Sequence, residues 1–378
     1  MKTIEDINRK IKNGEAVVLT ASEAKDLAAN ESARQLAKKV DVVTTATFSP
    51  MCSTGVFLNL GQATPKIKMQ KVLLDGVPAY GGIAAVDVFL GATENSITNP
   101  TKGGAHAICK LIRGEEVTVE ASGGPTDCYP GNHVKGKITL DMINQAYFFN
   151  PRNCCQNYNA ATNSSAKELK TYMGVLRPDF GNVTYSGAGE ISPLLNDPHL
   201  RTIGIGTPVF FCGGIGHIAW EGTQFNKNQI RDETTDIPIG PAAALAIIAD
   251  MRQVKPAFVK PVVVPGYGIS IAVAIGVAIP ILDEDMAVRV SIRNENVKTG
   301  LIDFATGEKI AVVNYRDLTG GYVSVKGKKV KTSTISRNRI AHEITVILKN
   351  WILSNKFPLC RPIKTLPIDG VLKPFPGN

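Results

Sequence analysis

The chain is short of the residues that most often announce a metal protein. Its five histidines are scattered with no His-x-x-x-His pair, and its seven cysteines contain no Cys-x-x-Cys. The Cys-x-x-Cys-x-x-Cys-x-x-x-Cys-Pro run of bacterial ferredoxins is also absent, so no metal ligand set is assigned. An odd number of cysteines over a long chain excludes a secreted disulfide framework. The N-terminus, Met1-Lys-Thr-Ile-Glu-Asp-Ile-Asn8, has no apolar signal-peptide core, and the expected location is the cytoplasm. Residues 261–282 carry no charge, but prolines at 261, 265 and 280 and glycines at 266, 268 and 276 interrupt them. Their β-branched content predicts a buried strand and turn, so no membrane partner is expected. Charged residues make up only 20% of the chain, and 42 lysines and arginines giving a net charge of +9 form no dense stripe for nucleic acid. The main basic patch, Lys326-Gly-Lys-Lys-Val-Lys331, reads as a hairpin with its charges in water.

What the chain does have is apolar bulk and glycine. With 44% hydrophobic residues over 378 positions it can bury a large core. One large enzyme domain over 1–378 is expected, with subdomains near 1–165 and 166–378. The pattern predicts helices over 3–12 and 22–39, and strands over 16–20, 41–47, 66–74, 86–91 and 116–121. A short helix is expected over 139–147 and a long loop over 150–165. Strands follow over 202–206, 208–211, 262–265, 269–278, 284–293 and 309–315. Residues 241–251 read as an alanine-rich helix, 322–334 as a hairpin and 344–354 as a closing helix. The fold class is α+β or mixed α/β, an elaborated mixed sheet with flanking helices and Gly-rich loops.

Many of the 35 glycines fall in short runs, including those beside Cys128 and Cys212. Cys128 lies in Ser122-Gly-Gly-Pro-Thr-Asp-Cys-Tyr-Pro-Gly131, a polar turn where Gly123 and Gly124 let backbone N–H groups converge on a thiolate. His133, five residues on, is a candidate proton carrier or cation; Asp127 would oppose a thiolate it faced, and is read as shaping the turn. Cys52 lies in Thr47-Phe-Ser-Pro-Met-Cys-Ser53, followed by Thr54, where Ser53 and Thr54 offer hydroxyl and N–H groups to an oxyanion or carboxylate. The two thiols can pair only where the fold brings their Cα atoms within about 7 Å. Arg152, beside Cys154-Cys155, suits bidentate capture of a substrate carboxylate. In Phe211-Cys-Gly-Gly-Ile-Gly-His-Ile-Ala-Trp-Glu-Gly-Thr-Gln224, Gly213, Gly214 and Gly216 read as a pocket wall and His217 as an acid/base candidate. Cys109 reads as core and Cys360 as incidental.

The segments around Cys52, Cys128 and 211–224 together resemble the homocysteine biosynthesis family of L-aspartate semialdehyde sulfurtransferases. The resemblance implies conversion of L-aspartate semialdehyde, a sulfur donor and two electrons to L-homocysteine, with Cys52 and Cys128 as the two important cysteines. It further implies a persulfide on Cys128 whose outer sulfur adds to the aldehyde, and a Cys52–Cys128 disulfide that external electrons reset. A cysteine persulfide is the only prosthetic sulfur expected, with no bound cofactor assigned. The partners implied are the small-molecule substrate and a separate ferredoxin-like sulfur or electron donor; a homo-oligomer is expected. Two other readings stand beside it: a different thiol-based sulfur-trafficking or redox enzyme, and a non-enzymatic small-anion or nucleotide-binding protein.

Overall fold

The strands Val42–Pro50 and Gly55–Asn59 are separated by four residues, yet they stand six places apart in one large sheet. A computed structural model, which describes residues 1–367 and 372–376, shows how both can be true. Five antiparallel strands lie between them: Gly268–Pro280, Pro208–Phe211, Gly214–Glu221, Leu245–Asp250 and Gln145–Asn153. Laid flat, six strand spacings would cover roughly 29 Å. The chain from Pro50 to Gly55 reaches at most about 17 Å. The sheet therefore curls until its two lips meet at residues 51–54.

Side-chain alternation fills the inside of the curl. Val56, Leu58 and Phe148 are buried, while their neighbours Phe57 and Tyr147 face outward. The rings of Phe148 and Phe211 pack 5.1 Å apart inside. The charge-free run becomes two paired strands, Val259–Val264 and Gly268–Pro280, and the second is buried along almost its whole length. Its outer side is covered by the helix Asn338–Leu353, which also packs on Val42–Pro50. Burial on both faces explains why this sequence shows no polar alternation. Past Gly55–Asn59 the sheet continues through Asp87–Gly91, Val77–Tyr80, Lys71–Leu74, Val117–Ser122 and the edge strand His133–Ile138.

A second sheet of six strands is built from residues 160–334, with its own core around Tyr185, Leu301 and Tyr315. A polar seam joins the two sheets. Ser49 Oγ and Ser336 Oγ share a hydrogen bond, the Gly187 N–H donates to Ser336 Oγ (2.8 Å), and the Arg337 N–H donates to the Phe48 carbonyl (2.9 Å). The large sheet takes strands from both sides of residue 165, so the sheets do not follow that division of the chain. The small hairpin Leu169–Thr171/Gly174–Leu176 stands apart from both. Mixed sheets with flanking helices are the expected fold class.

Several elements differ from the expectation. Residues 241–251 contain no α-helix: Leu245–Asp250 is a strand paired on both sides, and that tertiary pairing overrides alanine's helix preference. Residues 284–293 hold the helix Glu284–Val290, capped by the Asp283 side chain on the Met286 N–H (3.1 Å). Only a 3₁₀ turn, Leu140–Met142, forms in 139–147 before the strand Gln145–Asn153 begins. Residues 22–39 are two helices, Ala21–Ala28 and Ala33–Lys39, capped by Thr20 and Ser32. The loop expected over 150–165 contains the end of Gln145–Asn153 and the strand Ala160–Thr162, and the helix Gly104–Ile112 was not anticipated. No helix among the described residues is long and apolar enough to cross a membrane.

Candidate active site

The lips of the curled sheet meet in a turn. The Thr54 N–H and hydroxyl both bond the Met51 carbonyl (3.2 and 2.8 Å), which puts Cys52 and Ser53 at the two central positions. The Met51 N–H is anchored to the Ile271 carbonyl (2.7 Å), and buried Asn150 donates to Thr54 Oγ1 (2.7 Å). Thr54 is thereby spent on holding the turn and does not line the cavity beside it. Cys52 does: its Sγ lies 3.3 Å from the hydroxyl of buried Ser270 and faces a cavity of about 310 Å³.

That cavity sits between the turn, the end of Gln145–Asn153 and the second sheet. Ser53, Arg152, Cys154 and Cys155 line it beside Cys52, with Thr223 and Gln224 on another wall. Four tyrosines line it: Tyr315 below, and three from separate loops, Tyr158, Tyr172 on the small hairpin, and Tyr267 on the turn before Gly268–Pro280. Tyr172 joins the other two ring to ring, with centroids 6.4 Å from Tyr158 and 6.2 Å from Tyr267. The floor is Gly187, held at φ 97°, where a Cβ would come within 2.9 Å of the Tyr315 hydroxyl. That hydroxyl in turn donates to the Ser186 carbonyl (2.8 Å).

Arg152 is the cavity's only cationic side chain, and no Asp, Glu or His lines it among the described residues. The backbone of Arg152 is fixed by Asn150 Oδ1 on its N–H (3.0 Å) and by the Ser53 hydroxyl, which donates to its carbonyl (3.4 Å). Its guanidinium thus borders a partly open cavity with no anion beside it, the arrangement expected for receiving a carboxylate. Burial pushes the Cys155 thiol up to about 11, against the opposing pull of Arg152. Cys154 is fully enclosed and raised further by burial. Burial also raises Tyr158 and Tyr267, and the nearby Cys52 sulfur adds to the rise at Tyr267.

The remaining sequence candidates lie elsewhere. Asp127 and Cys128 form the two-residue tip of a hairpin closed by reciprocal backbone bonds between Thr126 and Tyr129 (2.9 and 3.0 Å), and Cys128 is exposed. Ser122, where that hairpin leaves the sheet, is in register through Lys71, Tyr80 and Phe89 with Phe57. Cys52 precedes Gly55 at one end of these strands, while Cys128 lies past Ser122 at the other end and four strands away. The fold does not bring the two thiols of one chain within disulfide reach. Gly123 and Gly124 pack on residues 68–70 rather than on a thiolate, and the Gly124 N–H is taken by Gln70 Oε1 (2.9 Å). His133 is exposed, 3.7 Å from Glu120. His217 is exposed because strand alternation turns Gly216 and Ile218 inward instead. Gly213, Gly214 and Gly216 let the Pro208–Phe211/Gly214–Glu221 hairpin pack on Gln253, Lys255 and Ile248, away from the cavity. Only the far end of that motif, Thr223 and Gln224, reaches it. The three loop tyrosines carry no local sequence signal, since only the fold gathers them.

Residues 16–359 match the family model described as homocysteine biosynthesis enzyme, sulfur-incorporation. The chain belongs to that family. It is 44% identical to the L-aspartate semialdehyde sulfurtransferase of Methanocaldococcus jannaschii, over 97% of this chain and 73% of that protein. It is 41% identical to the protein of the same name from Methanosarcina acetivorans, over 98% of this chain and 73% of that one. A Methanothermobacter thermautotrophicus protein of unassigned function is 28% identical over 85% of the chain and 72% of its own length. No solved structure matches. Membership makes the chain an enzyme of sulfur incorporation in homocysteine biosynthesis.

Proposed function

We propose that the chain converts L-aspartate semialdehyde to L-homocysteine at the Cys52 cavity. The observation that carries this reading is a thiol and an anion-free arginine lining one small cavity, in a family whose members named above include two sulfurtransferases for that substrate. Arg152 holds the substrate carboxylate and Cys52 presents the sulfur, so the aldehyde carbon lies between them. With sulfide as donor, the aldehyde, two electrons and two protons give the thiol and water. A persulfide on Cys52 needs two further electrons to cleave its S–S bond. An external reductant supplies both pairs.

Cys128 takes a different part from Cys52 in this proposal. Its exposure on a hairpin tip supports a role in exchanging sulfur or electrons with a separate ferredoxin-like protein, and the single-chain disulfide drops out of the scheme. Anaerobic incubation with L-aspartate semialdehyde, sulfide and a reductant is the test. The wild type should form L-homocysteine, and Cys52→Ser should form less than about 1% as much. Absence of the product with the wild type would refute the assignment.

A further inference from the structure

Addition of sulfur to an aldehyde forms a C–S bond, moves the carbonyl π pair onto oxygen, and requires that oxygen to receive a proton. The two histidines the sequence offered for this, His133 and His217, are outside the cavity, and no carboxylate or lysine lines it among the described residues. The acidic side chains that do line it are thiols and phenols. Arg152 acts on both Tyr158 and Tyr267; Tyr158 is coupled besides to Cys155, and Tyr267 to the Cys52 sulfur. Tyr315, a further lining phenol, has its proton committed to the Ser186 carbonyl (2.8 Å), and Tyr172 stacks between Tyr158 and Tyr267. Tyr267 lies on the Cys52 side, two residues after Pro265 on the turn that leads into Ser270, whose hydroxyl meets the Cys52 sulfur.

For a substrate with its carboxylate on Arg152 and its aldehyde at Cys52, Tyr267 is the lining phenol on the segment whose Ser270 contacts the Cys52 sulfur. Serine, threonine and glutamine at the cavity wall polarise the carbonyl oxygen by hydrogen bonding, but they are too weakly acidic to give up a proton. On the reading proposed above, we infer that Tyr267 is the catalytic acid that protonates the aldehyde oxygen as sulfur adds at Cys52. The phenol proton goes to the oxygen, and the adduct carries the new C–S bond and a hydroxyl. Half of Tyr267 is open to solvent, so water returns the proton to the phenolate, directly or past the neighbouring Tyr172 ring. No electron changes hands in this step.

The test is steady-state homocysteine formation by wild type, Tyr267→Phe and Tyr172→Phe, alongside the alkylation rate of Cys52 and the melting temperature of each. Tyr267→Phe should lower kcat about 100-fold or more, the span a positioned general acid supplies, with KM within threefold. Its Cys52 alkylation rate and melting temperature should match wild type, because an exposed phenol hydroxyl holds no part of the core. Tyr172→Phe should lose less than tenfold. A Tyr267→Phe kcat within threefold of wild type overturns the inference while leaving the proposed reaction intact. So does a larger loss in Tyr172→Phe, or a kcat loss accompanied by altered Cys52 reactivity. A wild type that forms no homocysteine removes the reaction itself, and this step with it.

Discussion

Arg152 and Lys25 are two cations whose settings give opposite consequences. Arg152 faces the cavity without an anion, so its charge is available to a ligand. Replacing it with methionine keeps the stem and removes the fork. KM for the aldehyde should rise about 10- to 100-fold, as expected for a lost charge-assisted hydrogen bond, with the thermal midpoint little changed. Lys25 is fully buried and its ammonium is held by Asn196 Oδ1 (3.1 Å) and the Val290 carbonyl (2.8 Å). Asn196 also donates to the Ser192 carbonyl (2.9 Å), so the lysine braces a wall of the cavity. Burial lowers its pKa to about 7 from the ordinary 10.5. Between these values the unfolded chain holds more protons than the folded one, so this group's contribution to stability rises with pH across that window. Urea midpoints from pH 7 to pH 9 should show the rise in wild type and lose it in Lys25→Met. Equal slopes in the two proteins would contradict the assignment.

At the scale of elements, the cavity depends on how strand ends and turns are held. Gly187 has a left-handed backbone, and a Cβ there would press on the Tyr315 hydroxyl. Gly187→Ala should cost about 1–3 kcal/mol and lower the thermal midpoint, more than an alanine at Gly136, where a Cβ meets open space. The hairpin that carries Cys128 makes such demands only at its base, where a Cβ at Gly123 would strike the Lys68 carbonyl. Replacing residues 125–130 by Asn-Gly should leave the thermal midpoint within about 2 °C while abolishing sulfur delivery from a protein donor, measured as product formed without free sulfide. Retention of protein-dependent delivery would remove the exchange role. These elements also show what the sequence could disclose. Caps and alternation marked the helix ending at Gly14 and the strand Val117–Ser122, because those signals are local. The strand Leu245–Asp250 was hidden, since its alanines favour helix and only its two neighbours make it a strand.

For the whole molecule, the decisive feature is closure of the large sheet. It brings a turn at residue 52, a strand end at 152–155 and loops at 158, 172, 223 and 267 around one space. No spacing in the sequence foretells that meeting. The motifs did single out Cys52, Ser53 and Arg152, and the glycine-rich setting of Cys128 did mark a turn. Which thiol lines the cavity was not legible, because both sit on turns and only strand register separates them. Cys52 lines the cavity, and the register puts Cys128 past the other end of the strands, four strands away. Site-resolved alkylation by iodoacetamide, quantified by mass spectrometry with and without saturating L-aspartate semialdehyde, tests this most directly. The substrate should slow alkylation of Cys52 tenfold or more and leave Cys128 unchanged; protection of Cys128 with Cys52 still freely alkylated would contradict the account.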